Sequence, residues 1–198
     1  MKVAILDYGA GNLHSLAKAV SAAGVEVRIE VDPSAAIRSD ALLLPGVGAF
    51  TSAARSLSPH RDEIASALKD GLPCLGICLG MQLLFDRSEE GPGEGLGVIT
   101  GRVRKLDALR IPQMGWNAID ERSDTLFAAA GLETAYFANS YVCEPEDSLT
   151  AIAWTTHEND RFVAGVRSGS VVGVQFHPEK SSGAGCRFIW AFLDEARS

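Results

Sequence analysis

The stretch Leu72-Pro-Cys-Leu-Gly-Ile-Cys-Leu-Gly-Met-Gln-Leu-Leu-Phe85 joins an apolar run to a helical pattern at a single cysteine, Cys78. The apolar residues before Cys78 predict a buried strand, and the residues after it predict a helix. Gly76 and Gly80 flank the cysteine, as a sharp strand-to-helix turn requires, because such a turn leaves no room for side chains. The turn projects Cys78 outward, and the amides of the following helix favour its thiolate form. By itself the stretch fits a nucleophile and an ordinary buried cysteine equally well.

A second chemical motif, His177-Pro-Glu179, follows another predicted strand, residues 171–176. Pro178 favours an extended conformation for the residue before it, so the side chains of His177 and Glu179 can project to the same side. Glu179 can then hold one imidazole nitrogen while the other nitrogen takes the proton of a thiol. Cys78, His177 and Glu179 are therefore the predicted catalytic triad.

The first half of the chain alternates predicted strands with predicted helices. Strands are predicted at 3–6, 25–31 and 41–44, and helices at 13–23 and 59–70. This order predicts an α/β fold with a largely parallel central sheet flanked by helices. Ligands of such sheets bind beyond the carboxyl ends of the strands, where the Cys78 turn falls.

Shorter alternating runs in the second half predict additional antiparallel strands. They lie near 98–106, 117–121, 134–142, 150–155 and 162–166, and a final helix is predicted at 185–196. The chain shows no linker or internal repeat. We expect one domain spanning residues 1–198.

Composition excludes several classes of function. The net charge of −7 argues against a nucleic-acid surface, because neutralising phosphates requires clustered Lys and Arg. No apolar span is long enough for a signal peptide or a membrane helix. The four cysteines form no metal-type pair and no disulfide framework, which predicts a cytoplasmic protein without a metal. We interpret Cys74, Cys143 and Cys186 as small core residues.

Taken together, the segments Gly76–Gln82 and Gln175–Glu179 resemble the class I glutamine amidotransferases. Further motifs resemble the family of glutaminase subunits of imidazole glycerol phosphate synthase. These motifs are Asp7-Tyr-Gly-Ala-Gly-Asn12, Pro45-Gly-Val-Gly48, Pro112-Gln-Met-Gly-Trp-Asn117 and His177-Pro-Glu-Lys-Ser181.

The resemblance implies the flavodoxin-like fold of the class, and it also implies which reaction the chain catalyses. The chain would hydrolyse glutamine to glutamate and ammonia, without metal or organic cofactor. It would form a heterodimer with a cyclase subunit, a (βα)8 barrel. That partner uses the ammonia to make imidazole glycerol phosphate and AICAR in histidine biosynthesis.

An oxyanion hole must accompany the triad, because the tetrahedral intermediate needs backbone donors about 3 Å away. The amide of Leu79, at the start of the helix, is one candidate. The second candidate lies in the loop Gly46-Val47-Gly48, at Val47 or Gly48, and the resemblance suggests that this loop must rearrange first. Gln82, one turn past the nucleophile, can reach the α-carbon groups of the substrate, and Gly46 and Gly48 are expected in the same pocket.

Three residues are implied at the partner interface: Asn12, Trp116 and Lys180. Lys180 directly follows the triad, whereas Trp116 could equally be a core residue. Two positions depart from the family pattern, because Gln113 and Asn139 stand where His is usual. Both keep hydrogen-bonding capacity but lose a titratable ring.

Alternative functions share part of this pattern. A glutaminase subunit for anthranilate, carbamoyl phosphate or pyridoxal phosphate synthesis would have the triad but not the Asp7–Asn12 motif. A stand-alone cysteine amidase or peptidase would be fully active without a partner. A silent binding module would have lost a member of the triad, and here all three are present.

Overall fold

The computed structural model of the chain describes residues 1–9 and 11–197. Numbered along the chain, its strands are β1 Lys2–Leu6, β2 Glu26–Glu30, β3 Ala41–Leu44, β4 Cys74–Ile77, β5 Arg87–Ser88, β6 Gly101–Lys105, β7 Gln113–Ala118, β8 Glu121–Arg122, β9 Thr134–Asn139, β10 Tyr141–Pro145, β11 Ala151–His157, β12 Asp160–Ser168 and β13 Val171–Val174. The α-helices are α1 Leu13–Ser21, α2 Pro33–Ala36, α3 Phe50–Leu57, α4 Arg61–Lys69, α5 Leu79–Leu83, α6 Thr125–Ala130 and α7 Ser182–Glu195.

An eight-stranded sheet organises these elements in the order β2-β1-β3-β4-β13-β12-β11-β8. The first five strands in this order pair in parallel, and β12, β11 and β8 extend the sheet antiparallel. The prediction of a largely parallel sheet with added antiparallel strands is confirmed.

Both faces of the central sheet are covered. Alternate residues of β1 point to opposite cores, with Val3 and Ile5 in one cluster and Ala4 and Leu6 in the other. Helices α1, α6 and α7 pack on the first face, and α2 to α5 pack on the second. This double coverage explains why β3 and β4 are apolar throughout rather than alternating.

Two small sheets lie beside the large one. One has the order β10-β6-β5, and the other consists of β7 and β9. The prediction of a single strand at 134–142 is wrong. This segment breaks at Ser140 into β9 and β10, which pair in different sheets. The run predicted at 117–121 is also wrong, since it spans the gap between β7 and β8. Strand β6, within the run predicted at 98–106, pairs antiparallel with β10 as predicted, and its other edge pairs in parallel with the short strand β5.

The helices differ from the prediction in several places, and neither α2 nor α6 is among the predicted helices. The helix expected at 59–70 begins as a 3₁₀ turn, Ser58–His60, and continues as α4. Helix α3 before it was not predicted, although buried Phe50, Ala53, Ala54 and Leu57 recur at helical spacing.

The register of the parallel strands brings the predicted motifs to one edge. Leu44 of β3 pairs with Gly76 of β4, and Ile77 of β4 pairs with Val174 of β13. The residues that follow these three strands therefore meet at the same carboxyl edge, as the position of ligands in parallel sheets predicts.

Two cysteines expected in the core, Cys74 and Cys143, are buried, and Cys186 is partly buried. Among the described residues, no helix is long and apolar enough to cross a membrane.

Candidate active site

Cys78 lies on a strained turn between β4 and α5. Its backbone has φ 53° and ψ −106°, a region that non-glycine residues rarely occupy. Glycine is required on both sides: a Cβ on Gly76 would lie 2.8 Å from the carbonyl oxygen of Gly80, and one on Gly80 would overlap the carbonyl of Leu44. The close approach of α5 to β3 and β4 therefore forces the cysteine into this position, with only 5% of its surface exposed.

His177 and Glu179 form a buried pair beyond the end of β13. His177 Nδ1 and Glu179 Oε1 are 2.9 Å apart, and the two side chains are 2% and 6% exposed. The backbone amide of His177 donates to the carbonyl of Tyr136 on β9, which fixes the chain at this point. The carboxylate thus orients the imidazole, as the spacing of His177 and Glu179 predicts.

The imidazole faces the cysteine. Burial lowers the pKa of His177, but its contacts with Cys78 and Glu179 outweigh burial and raise this pKa to about 9. Nε2 of His177 is buried and hydrogen-bonds to no other group of residues 1–9 and 11–197. It is therefore free to exchange a proton with the thiol or with a substrate.

A cavity of about 190 Å³ opens beside Cys78. Its walls come from the loop after β3, the start of α5, the loop after β5, the residue before β7 and the junction between β9 and β10. They comprise Val47, Gly48, Cys78, Leu79, Gln82, Glu90, Pro112, Ala138, Asn139, Ser140 and Tyr141. A larger hollow of about 480 Å³ lies along α3 and α4, but no cysteine or histidine lines it, and none of its polar side chains is buried.

The candidate oxyanion donors surround this cavity. Leu79 is the first residue of α5, so its amide has no partner within the helix. Val47 and Gly48 line the cavity, and neither amide donates a hydrogen bond to the described part of the chain. Gly46 is placed differently. It is buried against the strained turn at Cys78, where an added Cβ would lie 2.6 Å from Leu79 Cβ.

Two residues at the site were not predicted as functional. Gln175 is fully buried, and its Nε2 lies 3.5 Å from Cys78 Sγ. Its position within the Gln175–Glu179 motif was the signal that could have identified it. Glu90 lines the cavity and accepts a hydrogen bond from the amide of Phe50. It lies in a glycine-rich loop, and no local pattern distinguishes it from its neighbour Glu89.

The two residues that depart from the family pattern are buried beside the cavity. Gln113 and Asn139 are directly opposite each other on β7 and β9, and each is less than 5% exposed. Both polar atoms of the Gln113 amide and Oδ1 of Asn139 lack a hydrogen-bond partner within the described residues.

The three predicted interface residues are exposed. Trp116 is 56% exposed on β7, which excludes a core position. Asn12 caps α1 by accepting from the amide of Ser15. Lys180 Nζ lies 5.8 Å from the centre of the Tyr136 ring.

Comparison with known proteins agrees with this geometry. The model of the family described as class-I glutamine amidotransferase matches residues 4–194. Imidazole glycerol phosphate synthase subunit HisH from Corynebacterium diphtheriae is 41% identical, over 98% of both chains. The same subunit from Symbiobacterium thermophilum is 44% identical, over 95% of this chain and 91% of that one. The chain belongs to the HisH family of class I glutamine amidotransferases.

Solved structures place the fold of this HisH-family chain in the same class. One described as a crystal structure of glutamine amidotransferase has a TM-score of 0.77 at 21% identity, over 99% of both chains. The structure of PurLQS from Thermotoga maritima has a TM-score of 0.74 at 19% identity, over 100% of this chain and 99% of that chain. At such identities the similarity concerns the fold alone.

Proposed function

We propose that Cys78, His177 and Glu179 carry out the glutamine hydrolysis of this chain. As a HisH-family member, the chain is the glutamine amidotransferase subunit of imidazole glycerol phosphate synthase, in histidine biosynthesis. The observation that carries the residue assignment is the buried His177–Glu179 pair facing a cysteine on a strained turn.

Hydrolysis proceeds in two steps through a thioester. The thiolate of Cys78 attacks the side-chain amide carbon of glutamine, and the C–N bond breaks as protonated His177 gives its proton to the leaving nitrogen. Ammonia leaves, and the glutamyl group remains on sulfur. Neutral His177 then takes a proton from water, which attacks the thioester and releases glutamate and the thiolate. Glu179 holds the imidazole in orientation throughout.

The oxyanion of each tetrahedral intermediate would accept hydrogen bonds from Leu79 and from the loop at Val47 or Gly48. All three residues line the cavity beside Cys78, which supports this role. Removing one such donor typically costs ~10²–10³ in rate, so the loop conformation can control turnover.

The polar groups of the cavity can hold the α-carbon end of glutamine. The amide nitrogen of Gln82 is occupied by the carbonyl of Tyr141 and by Gln175 Oε1, which leaves Gln82 Oε1 to accept from the α-ammonium. Glu90 is the one acidic side chain along the described cavity wall, and its charge attracts the same group. Gly48 also lines the cavity and adds no side chain to it.

The relatives are named as one subunit of a synthase, which implies that this chain has a partner subunit. We propose that the partner is the (βα)8-barrel cyclase, in a heterodimer that contacts the exposed Asn12, Trp116 and Lys180. Ammonia is lost unless its acceptor is near, so the cyclase must receive it directly. The free thiols of the chain support a reducing, cytoplasmic location.

The test uses the assembled complex. Cys78→Ser should abolish glutamine-dependent synthesis, because an alcohol is far less ionised than a thiol at neutral pH. Synthesis from added ammonia should persist, which shows that the variant folds and binds the cyclase. Cys186→Ser is the matched control and should keep both activities. A Cys78→Ser complex that still consumes glutamine at the wild-type rate would refute the assignment.

A further inference from the structure

Gln175 makes an unusual contact for a fully buried amide. It directly follows β13, and its Nε2 lies 3.5 Å from Sγ of Cys78. Apart from His177, the sulfur has one further hydrogen-bonding contact in the described chain, the Ala138 carbonyl at 3.9 Å, to which the thiol donates. A carbonyl cannot donate to sulfur, so once Cys78 loses its proton only Gln175 of these two still stabilises it.

The orientation of the Gln175 amide is fixed by a chain of hydrogen bonds. The Tyr141 carbonyl can only accept, so it holds Nε2 of Gln82, at 3.2 Å. The same Nε2 donates to Gln175 Oε1 at 3.4 Å. With its oxygen held by Gln82, Gln175 must turn its NH₂ group toward Cys78.

We propose that Gln175 is a catalytic residue that donates a hydrogen bond to the thiolate of Cys78. The proposal rests on the function proposed above, in which Cys78 is the nucleophile. The donor stabilises the thiolate before attack and again when the thioester breaks, because the sulfur carries negative charge at both points. Gln82 links this donor to the wall of the substrate cavity.

Such a donor changes the rate in a pH-dependent way. It increases the thiolate fraction wherever the thiol predominates, but it lowers the intrinsic nucleophilicity of the sulfur by about half as much on a logarithmic scale. Loss of Gln175 should therefore slow reaction at low pH and leave it equal or faster at high pH. A residue that only supports the fold would change the rate by the same factor at every pH.

Other titratable groups lie near the sulfur. His177 faces it from beyond β13, and Glu90 lines the same cavity. Burial raises the pKa of Tyr8, after β1, and of Cys143, on β10, so both stay neutral through the working pH range. The pH dependence of Cys78 alkylation therefore reflects His177, Glu90 and the donor at position 175.

The experiment measures iodoacetamide alkylation of the Cys78 peptide by mass spectrometry from pH 5 to pH 10, in the full chain. Gln175→Met removes the donor at similar volume and should move the alkylation midpoint up by about one pH unit. Gln175→Asn retains an amide with a shorter reach, and should move it in the same direction if the Met variant does not fold. Gln113→Met, at a buried glutamine that does not contact the sulfur, should leave the midpoint unchanged.

Glutamine turnover in the complex gives the second readout. Gln175→Met should be about threefold slower near pH 7, because the tenfold lower thiolate fraction is partly offset by a more nucleophilic sulfur, and should equal or exceed the wild-type rate at high pH. An unmoved alkylation midpoint in the folded Met or Asn variant would overturn the role of Gln175, whatever its turnover. Since alkylation does not require glutaminase activity, that failure is distinct from a failure of Cys78→Ser to abolish activity.

Discussion

At the scale of single residues, His177 and Glu179 have unequal roles in the proposed mechanism. His177 carries the proton, whereas Glu179 only orients the ring and stabilises its charge. His177→Asn should therefore lower glutamine turnover by about 10⁴-fold, and Glu179→Gln by roughly 10²–10³-fold. Both are measured as glutamate release by the complex at saturating glutamine, with ammonia-dependent synthesis as the control for folding. Equal and small effects would indicate a different base.

The raised pKa of His177 also makes stability depend on pH. The folded pKa of about 9 lies above the usual 6.5, so the charged imidazole contributes stability fully below about pH 6.5. This contribution falls as pH rises through 9. Urea unfolding between pH 6 and pH 10 should show a steeper loss of stability in the wild type than in His177→Asn. Parallel curves for the two proteins would mean that the pKa is not raised.

Gln113 illustrates a buried side-chain amide with no hydrogen-bond partner among residues 1–9 and 11–197. An unsatisfied buried amide costs roughly 1–3 kcal/mol, so replacing it with an apolar side chain of similar size removes a penalty. Gln113→Met should raise the free energy of unfolding by about 1 kcal/mol in urea titration. A loss of stability would instead indicate that the amide is hydrogen-bonded in solution.

At the scale of elements, the strained turn at Cys78 depends on the absence of a side chain at position 80. A methyl group there would overlap the carbonyl of Leu44 and push α5 away from β3. Gly80→Ala should therefore lower the free energy of unfolding by about 2–3 kcal/mol. Gly183→Ala is the control, because Gly183 is exposed in α7 and has room for a Cβ. It should change stability by less than about 1 kcal/mol.

Elements with a strong local pattern were predictable from sequence, and those defined by pairing were not. Strands β3 and β4 are short apolar runs bounded by polar or turn residues. Their strand conformation and their burial therefore follow from the sequence. The division of 134–142 into β9 and β10 depends on which distant strand each half meets, β7 or β6, and no local pattern encodes that choice.

The same distinction applies to the site. Cys78, His177 and Glu179 lie in short motifs whose spacing indicates their chemistry. Gln175 and Glu90 acquire their positions only from tertiary contacts, with Cys78 Sγ and the amide of Phe50 respectively. The Gln175–Glu179 motif marks Gln175 as part of the site but not its contact with sulfur, and the glutamate in a loop carries no local signal at all.

At the scale of the whole molecule, turnover should depend on the partner subunit. The loop that carries Val47 and Gly48 is exposed at the cavity, and its amides are the second candidate oxyanion donors. If the loop rests in a conformation that turns these amides away, the isolated chain lacks one donor. Binding of the cyclase and its nucleotide can then shift the loop only through a difference in affinity for the two conformations.

The isolated chain should therefore release glutamate ~10²–10³-fold more slowly than the complex with the cyclase and its nucleotide. Lys180→Ala should raise the cyclase concentration needed for half-maximal activation, because Lys180 is exposed next to Glu179 and is proposed to contact the partner. Lys69→Ala, an exposed lysine at the end of α4, should leave that concentration unchanged. The measurement is glutamate release titrated with cyclase, with and without its nucleotide. A chain that hydrolyses glutamine at full rate alone would contradict the partner-dependent mechanism, because its oxyanion hole would already be complete.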